Sequence, residues 1–293
     1  MYNPFVEIRD ETERDEDIVA RVLEGDAAAL ERLVYRHQAW IYNIALKMVL
    51  DRHDAEDVTQ EILLKIVTHL SAYNPAKGSI RTWIYRIAAN HVITMRTRGP
   101  ETLVASARIK DAFTPAVDDL EDTRDSNRPD YRLLADEARE LCLTGLLLCL
   151  DRRKRLAFIL GEIFQAGARS GAEILGVSES NFRALLSRAR KQLANFLEAR
   201  CGLIDPANPC RCALQVGNMI RARWLPDGDA GSTASHRRKI ADVVVVKTRE
   251  RTKELSNALR LYRDTPFEEN TELSGRILEI MGREDVRELF MLQ

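Results

Sequence analysis

Several things are scarce in this 293-residue chain, and each scarcity narrows what the protein can be. Long apolar runs are missing: uninterrupted ones such as 146–150 and 243–246 are far too short to cross a bilayer. The opening MYNPFVEIRDETERDED is acidic where a secretory leader would be basic and then apolar, so a cytoplasmic location is expected. Five cysteines, an odd number in a large charged chain, do not suggest a secreted disulfide framework. No glycine-rich phosphate loop, nucleophile–base pair or paired-carboxylate site can be read, so no enzymatic activity is expected. Internal repeats and strand pairing are not predicted either. The most informative lack is local: between Asn74 and Pro100 there is no Asp or Glu, although the formal net charge of the whole chain is only -1.

That stretch holds Lys77, Arg81, Arg86, Arg96 and Arg98, interleaved with Trp83, Tyr85 and His91 and preceded by Tyr73. Cations meet phosphates and aromatic faces meet unstacked bases, so this is what a nucleic-acid contact surface looks like. Trp83, Ile84 and Ile87 also stand at core spacing, which makes Trp83 a candidate core anchor. Upstream, apolar residues recur at three and four from Asp15 to Leu70, with Gly25-Asp26 separating a first helix from a second. Asp54 is the expected N-cap of a third helix, with Asp57 three residues on, and Tyr73-Asn74-Pro75 should break it. A further helix is expected from Ser79 or Ile80 to about Met95.

Residues 99–135 carry three prolines and the acids Asp118, Asp119, Glu121, Asp122 and Asp125 without an apolar period, which reads as a flexible acidic linker. Helical periodicity then resumes and runs to Arg200. Residues 172–178 followed by 179–191 read as helix, glycine-containing turn and second helix, with Ile174, Leu175, Val177, Phe182, Leu185 and Leu186 placed to fill the angle between them. This is helix-turn-helix geometry. Ten basic against five acidic residues in 151–200 leave +5, which suits DNA; a hairpin with a solvated basic face is the plainer alternative.

Taken together, the motifs Gly25-Asp26-Ala27-Ala28, Asp54-Ala55-Glu56-Asp57-Val58-Thr59-Gln60-Glu61 and Arg81-Thr82-Trp83-Ile84-Tyr85-Arg86-Ile87-Ala88-Ala89-Asn90 resemble the second conserved region of bacterial sigma factors of the extracytoplasmic-function (ECF) type. The segment near 170–192, ending Ser187-Arg188-Ala189-Arg190-Lys191, is similar to that family's fourth region. The resemblance implies an all-α fold: two small helical domains, 1–98 and 136–200, joined by the linker and followed by a helical extension, 201–293. It implies a transcription initiation factor that brings RNA polymerase core enzyme to promoters and helps open the DNA. Asp54, Asp57, Gln60 and Glu61 would dock on the polymerase clamp helices. Lys77, Arg81, Arg86 and Arg96 would hold phosphates of the single-stranded minus-ten element, Trp83 and Tyr85 would stack on bases, and Asn90 and His91 would add base or backbone contacts. In the duplex minus-thirty-five element, Ser178, Ser180, Asn181 and Arg183 would reach base edges, with Ser187, Arg188, Arg190 and Lys191 behind them. The chain departs from the family at Asp151, where a proline is usual, and at Phe182 in the recognition helix. The runner-up is a stand-alone helix-turn-helix regulator that never touches the polymerase.

The extension lies outside the two-region pattern. Cys201, Cys210 and Cys212 are its thiol cluster, read three ways: buried structural thiols, a zinc site with a fourth ligand such as His236, or a redox pair. No other cofactor is expected. A metal- or redox-dependent enzyme built on these thiols is the rival from another class. The apolar stripes Ile240, Val243, Val244 and Val246; Leu255, Leu259 and Tyr262; and Leu273, Ile277, Leu278, Ile280 and Met281 need burial, on the two domains or on another protein. Autoregulation by this extension is the expectation, with a separate anti-sigma factor as the other regulator the resemblance allows.

Overall fold

The structure is a computed structural model that describes residues 13–97, 101, 129–221, 237–239, 257–268, 270, 273, 275–277 and 279. Most of the expected linker, His236, and the stripe residues Ile240, Val243, Val244, Val246, Leu255, Leu278, Ile280 and Met281 lie outside the described residues.

Four helices form the first unit: α1 (Asp15–Leu23), α2 (Ala27–Val49), α3 (Arg52–Thr68) and α4 (Ile80–Thr94). Local chemistry sets their starts. Asp26 caps α2 by accepting from the Ala29 amide, and the Ser79 hydroxyl caps α4 by accepting from the Thr82 amide. The cap of α3 is Asp51, whose carboxylate accepts from the Asp54 amide at 2.9 Å. The expectation of Asp54 in that role is corrected by one turn: Asp54 lies in the first turn, where its charge still favours the positive end of the helix dipole. Between α3 and α4, Asn74 caps a short 3-10 turn, Pro75–Lys77.

The second unit comprises α5 (Pro129–Leu146), α6 (Arg152–Phe158) continued by a π turn (Ile159–Ile163), α7 (Ala168–Leu175) and α8 (Glu179–Arg200). Helix α5 begins inside the segment expected to be linker. Asp151, the departure from the family pattern, caps α6 by accepting from the Lys154 amide. Gly176 ends α7 at φ +65°, a left-handed conformation that other residues adopt only with strain, and the Val177 amide closes the turn on the Ala172 carbonyl at 3.0 Å. Ser178 caps α8. Phe182 is buried against Gly171, where a β-carbon would lie 2.3 Å from the ring. A glycine is needed there for close approach.

Beyond α8 come α9 (Cys212–Arg221), which packs along α5, the strand β1 (Arg237–Lys239), α10 (Asn257–Arg260) and the strand β2 (Pro266–Glu268). The strands pair antiparallel, Arg238 opposite Phe267, so the reading that no strands pair is corrected for three residues on each side. Everything else regular among the described residues is helical. The two units are also not separate bodies on a tether here: Ile18, Trp40 and Ile84 of the first and Phe158, Phe164 and Phe182 of the second belong to one continuous buried cluster. Tyr262, Phe267, Leu273 and Ile277 of the extension complete it. Hydrophobic burial therefore holds all three segments together.

Candidate nucleic-acid and polymerase interface

On α3 the apolar stripe Ala55, Val58, Ile62 and Ile66 is buried. The opposite face carries Asp57 and Glu61, both exposed, with Asp54 and Gln60 half-buried at its edges. Leu64 lies on that same face and is 57% exposed. Sequence reading passed over it as one more apolar residue; the signal was its place three and four residues after Glu61 and Gln60, out of phase with the stripe. Glu61 reaches His91 on α4, Oε2 to Nε2 3.2 Å, while Lys65 Nζ stands 2.7 Å from the other ring nitrogen. His91 is thereby held inside a polar sandwich, only 8% exposed, and joins the two helices.

The basic helix α4 divides differently from the expectation. Tyr85 is corrected to a core residue: it is 1% exposed, and its hydroxyl lies 3.1 Å from His37 Nδ1. The period of α4 turns it inward with Ile84 and Ala88, so its ring offers no stacking face. Trp83 is half-buried at the rim of the core and leans on Tyr73, ring centroids 6.0 Å apart. The aromatic surface is thus Tyr73 with Trp83. Arg81 is paired with Asp15 at 2.8 Å; Asp15 is 1% exposed and also takes Arg36 at 2.7 Å. Lys77, Asn90 and Arg96 are exposed.

Arg86 points away from the first unit altogether. Its guanidinium donates two hydrogen bonds, 2.9 and 2.6 Å, to the backbone carbonyl of Glu173 at the end of α7. Thr82 adds a 3.3 Å bond to the Glu173 carboxylate. Helix α7 is the first helix of the helix-turn-helix and packs along α4. The basic helix α4 and the helix-turn-helix therefore meet, through α7. Behind them Glu101 takes Arg155 at 2.8 Å and also pairs with Arg152. Burial alone would raise the Glu101 pKa, but the two guanidinium groups outweigh it and hold the carboxyl below the ordinary range.

In the helix-turn-helix, Ser178, Ser180, Asn181, Arg183, Ser187, Arg188 and Lys191 are exposed along the leading face of α8. Arg183 is engaged with Glu179 one turn back. Arg190 is the exception, drawn inward to the buried Glu162 at 2.7 Å. Val177 and Leu185 are half-buried rather than central to the angle between the helices.

Sequence reading missed the residues that dock the extension. Asn43, fully buried in α2, donates to the Glu268 carbonyl at 2.8 Å and accepts from the Glu268 amide at 3.1 Å. Phe267 inserts beside Trp40, centroids 4.8 Å apart, and Trp40 in turn meets Phe164 at 5.1 Å. Tyr262 packs edge-on to Phe158 at 4.9 Å. On the flank of α3, Arg52 pairs with Glu268 at 3.0 Å, while Glu56 takes Asn270 at 2.8 Å and Arg276 at 2.5 Å. An Asn isolated among Trp40, Ile41, Ile44 and Ala45 was the available signal. Nearby, burial pushes the Lys47 pKa down to about 8, partly offset by Glu268 and Glu140. The thiols Cys142, Cys210 and Cys212 are all pushed up by burial and by neighbouring thiols, Cys212 to about 11. None of the five cysteines is in a disulfide.

A helix with an acidic outer face, a basic aromatic helix after it and a helix-turn-helix further on are the arrangement expected of a bacterial sigma factor. The Sigma-70 region 2 family model matches residues 33–99 and that of Sigma-70 region 4 matches residues 140–193. The chain is 28% identical over 154 residues to the ECF RNA polymerase sigma factor SigM of Bacillus subtilis, covering 52% of this chain and 85% of that protein. It is 30% identical over 181 residues to the ECF RNA polymerase sigma factor SigE of Mycolicibacterium smegmatis, covering 59% and 64%. A solved structure titled "Structure of CnrH in complex with the cytosolic domain of CnrY" aligns with 63% of this chain and 97% of that chain, at 23% identity and a TM-score of 0.44. The two Sigma-70 regions and these relatives support an ECF-type sigma factor and promoter-specific transcription initiation, and such a factor implies RNA polymerase core and promoter DNA as partners. A stand-alone helix-turn-helix regulator is not favoured. No described helix is long and apolar enough to cross a membrane.

Proposed function

We propose that this sigma factor rests in a closed state and that its extension holds it there. The observation that carries this reading is the contact of Arg86 and Thr82 with Glu173, which sets the minus-ten helix against the helix-turn-helix. Promoter DNA needs both surfaces at once, one for separated strand and one for duplex, so α4 and α7 have to part before it binds. Phe267 and Tyr262, lodged between α2 and α6, oppose that parting. In the open state Lys77, Arg81, Arg86 and Arg96 hold phosphates, with Arg81 exchanging Asp15 for phosphate. Trp83 and Tyr73 supply the stacking surface, and Asn90 and His91 the flanking contacts. Ser178, Ser180, Asn181 and Arg183 read the duplex, and Ser187, Arg188 and Lys191 grip its backbone, while Arg190 braces α8 through Glu162.

Polymerase docks on Asp54, Asp57, Gln60 and Glu61, with Leu64 as an apolar anchor at the centre of a charged face. Among the described residues the extension grips the flank of that face, at Arg52 and Glu56. Core polymerase can therefore engage first and compete with the extension. The protein works in the cytoplasm and catalyses no reaction of its own; a separate anti-sigma protein becomes unnecessary where the extension does that work. Run-off transcription with purified core polymerase tests the reading. The intact chain should initiate specifically, the Asp57→Ala/Gln60→Ala/Glu61→Ala variant should not, and retention of full initiation by that variant would remove α3 as the docking face.

A further inference from the structure

We propose that Glu101, Arg152 and Arg155 form a latch between the two units. It rests on the closed state and adds to it a second lock, made without the extension. Helix α6 opens Arg152-Arg153-Lys154-Arg155, a run whose charge suits DNA when read from the sequence. Residues three apart on a helix share a face, so Arg152 and Arg155 turn inwards together, while Arg153 stays exposed and Lys154 pairs with Asp151. What the two meet is the ends of two helices of the first unit. The last carbonyls of a helix have no partner within it and form the negative end of its dipole. Arg152 Nη1 donates to the Ile93 carbonyl at 3.2 Å and to that of Met95, and its Nη2 donates to the Arg96 carbonyl at 3.3 Å, which closes the end of α4. Arg155 Nη1 donates to the Met48 carbonyl at the end of α2. Its other nitrogens hold the turn before its own helix, Nε on the Leu147 carbonyl at 3.0 Å and Nη2 on that of Leu150 at 3.1 Å. Arg155 is therefore fixed in the second unit and reaches into the first.

Glu101, from the stretch between the units, lies between the two guanidinium groups. Its Oε1 accepts from Arg155 Nη1 at 2.8 Å and from Arg152 Nε at 3.1 Å, and its Oε2 accepts from Arg152 Nη2. The side chains of Glu101 and Arg155 are buried and that of Arg152 nearly so. Two cations brought together out of water repel, and each helix end offers only about half a charge against them. The carboxylate between them supplies the rest. Its effect differs between the two states. Once the units part, Arg152 and both helix ends reach water, where an ion pair contributes little; only the closed state needs the carboxylate in place. Glu101 thus favours closure selectively. Among the described residues none of the three makes a hydrogen bond or ion pair with the extension, so this latch and the docking of Phe267 act on one equilibrium through different residues. Two of the ten basic residues counted towards DNA in 151–200 are spent inside the protein. The extension's thiols hold nothing comparable: among the described residues no three His, Cys, Asp or Glu side chains are placed to bind a metal ion, and the zinc reading of Cys201, Cys210 and Cys212 finds no support.

The test uses the full chain with dyes at the exposed positions Glu31 and Glu198, and reads energy transfer without DNA and the apparent affinity for a promoter fragment. Binding needs the open state, so apparent affinity follows its population. Glu101→Gln keeps the side chain's shape and removes its charge. It should lower the closed-to-open ratio at least about tenfold, because only the closed state then holds uncompensated buried cations. Energy transfer should fall, affinity should rise by about the same factor, and combination with Phe267→Ala should multiply the two effects. Arg152→Gln is the sharper probe, since the sign of its effect depends on its role. Loss of a latch tightens promoter binding; loss of a phosphate contact weakens it and lowers the salt slope by about one. Lower transfer with tighter binding in both variants is the expected result. Unchanged transfer in both, with Phe267→Ala lowering it, overturns the latch and leaves the closed state standing. Unchanged transfer in all three overturns the closed state and the latch together. Weaker binding by Arg152→Gln at unchanged transfer also overturns the latch and makes Arg152 a DNA contact. Should Glu101→Gln fail to fold, Arg152→Gln decides alone.

Discussion

Replacing Phe267 by Ala should spring the closed state. The ring is 0% exposed and wedged beside Trp40, so its removal costs about 3–5 kcal/mol of the docking energy, by analogy with other buried Phe→Ala changes. The other docking contacts are weaker. The two hydrogen bonds between Asn43 and Glu268 contribute about 1 kcal/mol each, and the partly exposed pairs of Arg52 and Arg276 contribute less. At 1.4 kcal/mol per factor of ten, the closed-to-open ratio should fall by about a hundredfold to a few thousandfold. Dyes at the exposed positions Glu31 on α2 and Glu198 on α8 report the separation of the two units by energy transfer. Transcript yield at limiting sigma concentration reports the functional consequence. The variant should show a longer mean distance without DNA and a higher yield. An unchanged distance and an unchanged yield, together with a lowered melting temperature, would refute the reasoning: Phe267 would then be an ordinary core residue and the extension a passive appendage.

Other consequences can be measured separately. Gly171→Ala should destabilise the helix-turn-helix by about 1–3 kcal/mol in chemical denaturation, because the new methyl meets the Phe182 ring at 2.3 Å. Lys47 is buried, with a folded pKa near 8 against 10.5 for the ordinary side chain. Between those values the unfolded chain binds more protons, so stability should rise as pH increases from about 8 towards 10.5, by up to about 3 kcal/mol. Lys47→Met should flatten that part of the profile. Promoter binding should weaken steeply with salt, since several phosphates are neutralised, and each cation lost among Lys77, Arg96 and Lys191 should lower the log–log slope by about one. A slope unchanged in all three variants would count against their phosphate contacts.

The sequence alone carried the elements that are locally determined. Helical period, the Gly25-Asp26 break, the helix start at Ser79 or Ile80, the glycine-containing turn at Gly176 and the segregation of acid from base all follow from nearest neighbours, and they led to the sigma-factor reading. Direction within a helix was harder. Tyr85 and Trp83 are both aromatic residues in a basic stretch, and only the packing of α4 on α2 decided that one is core and the other rim. The cap of α3 was displaced by one turn because Asp51 and Asp54 are equally good acceptors in isolation.

What sequence could not carry is the closed arrangement. Arg86 with Glu173 and Asn43 with Glu268 are pairs far apart in the chain, and no local pattern links their members. Each pairing depends on a shared core that forms only when all three segments bury their apolar faces together. An amphipathic stripe says that something must cover it; it does not say what. Composition and periodicity thus determined what kind of protein this is, while tertiary packing alone decided which of its surfaces are covered, because long-range contacts are set by the sum of burial over the whole fold and not by any one segment.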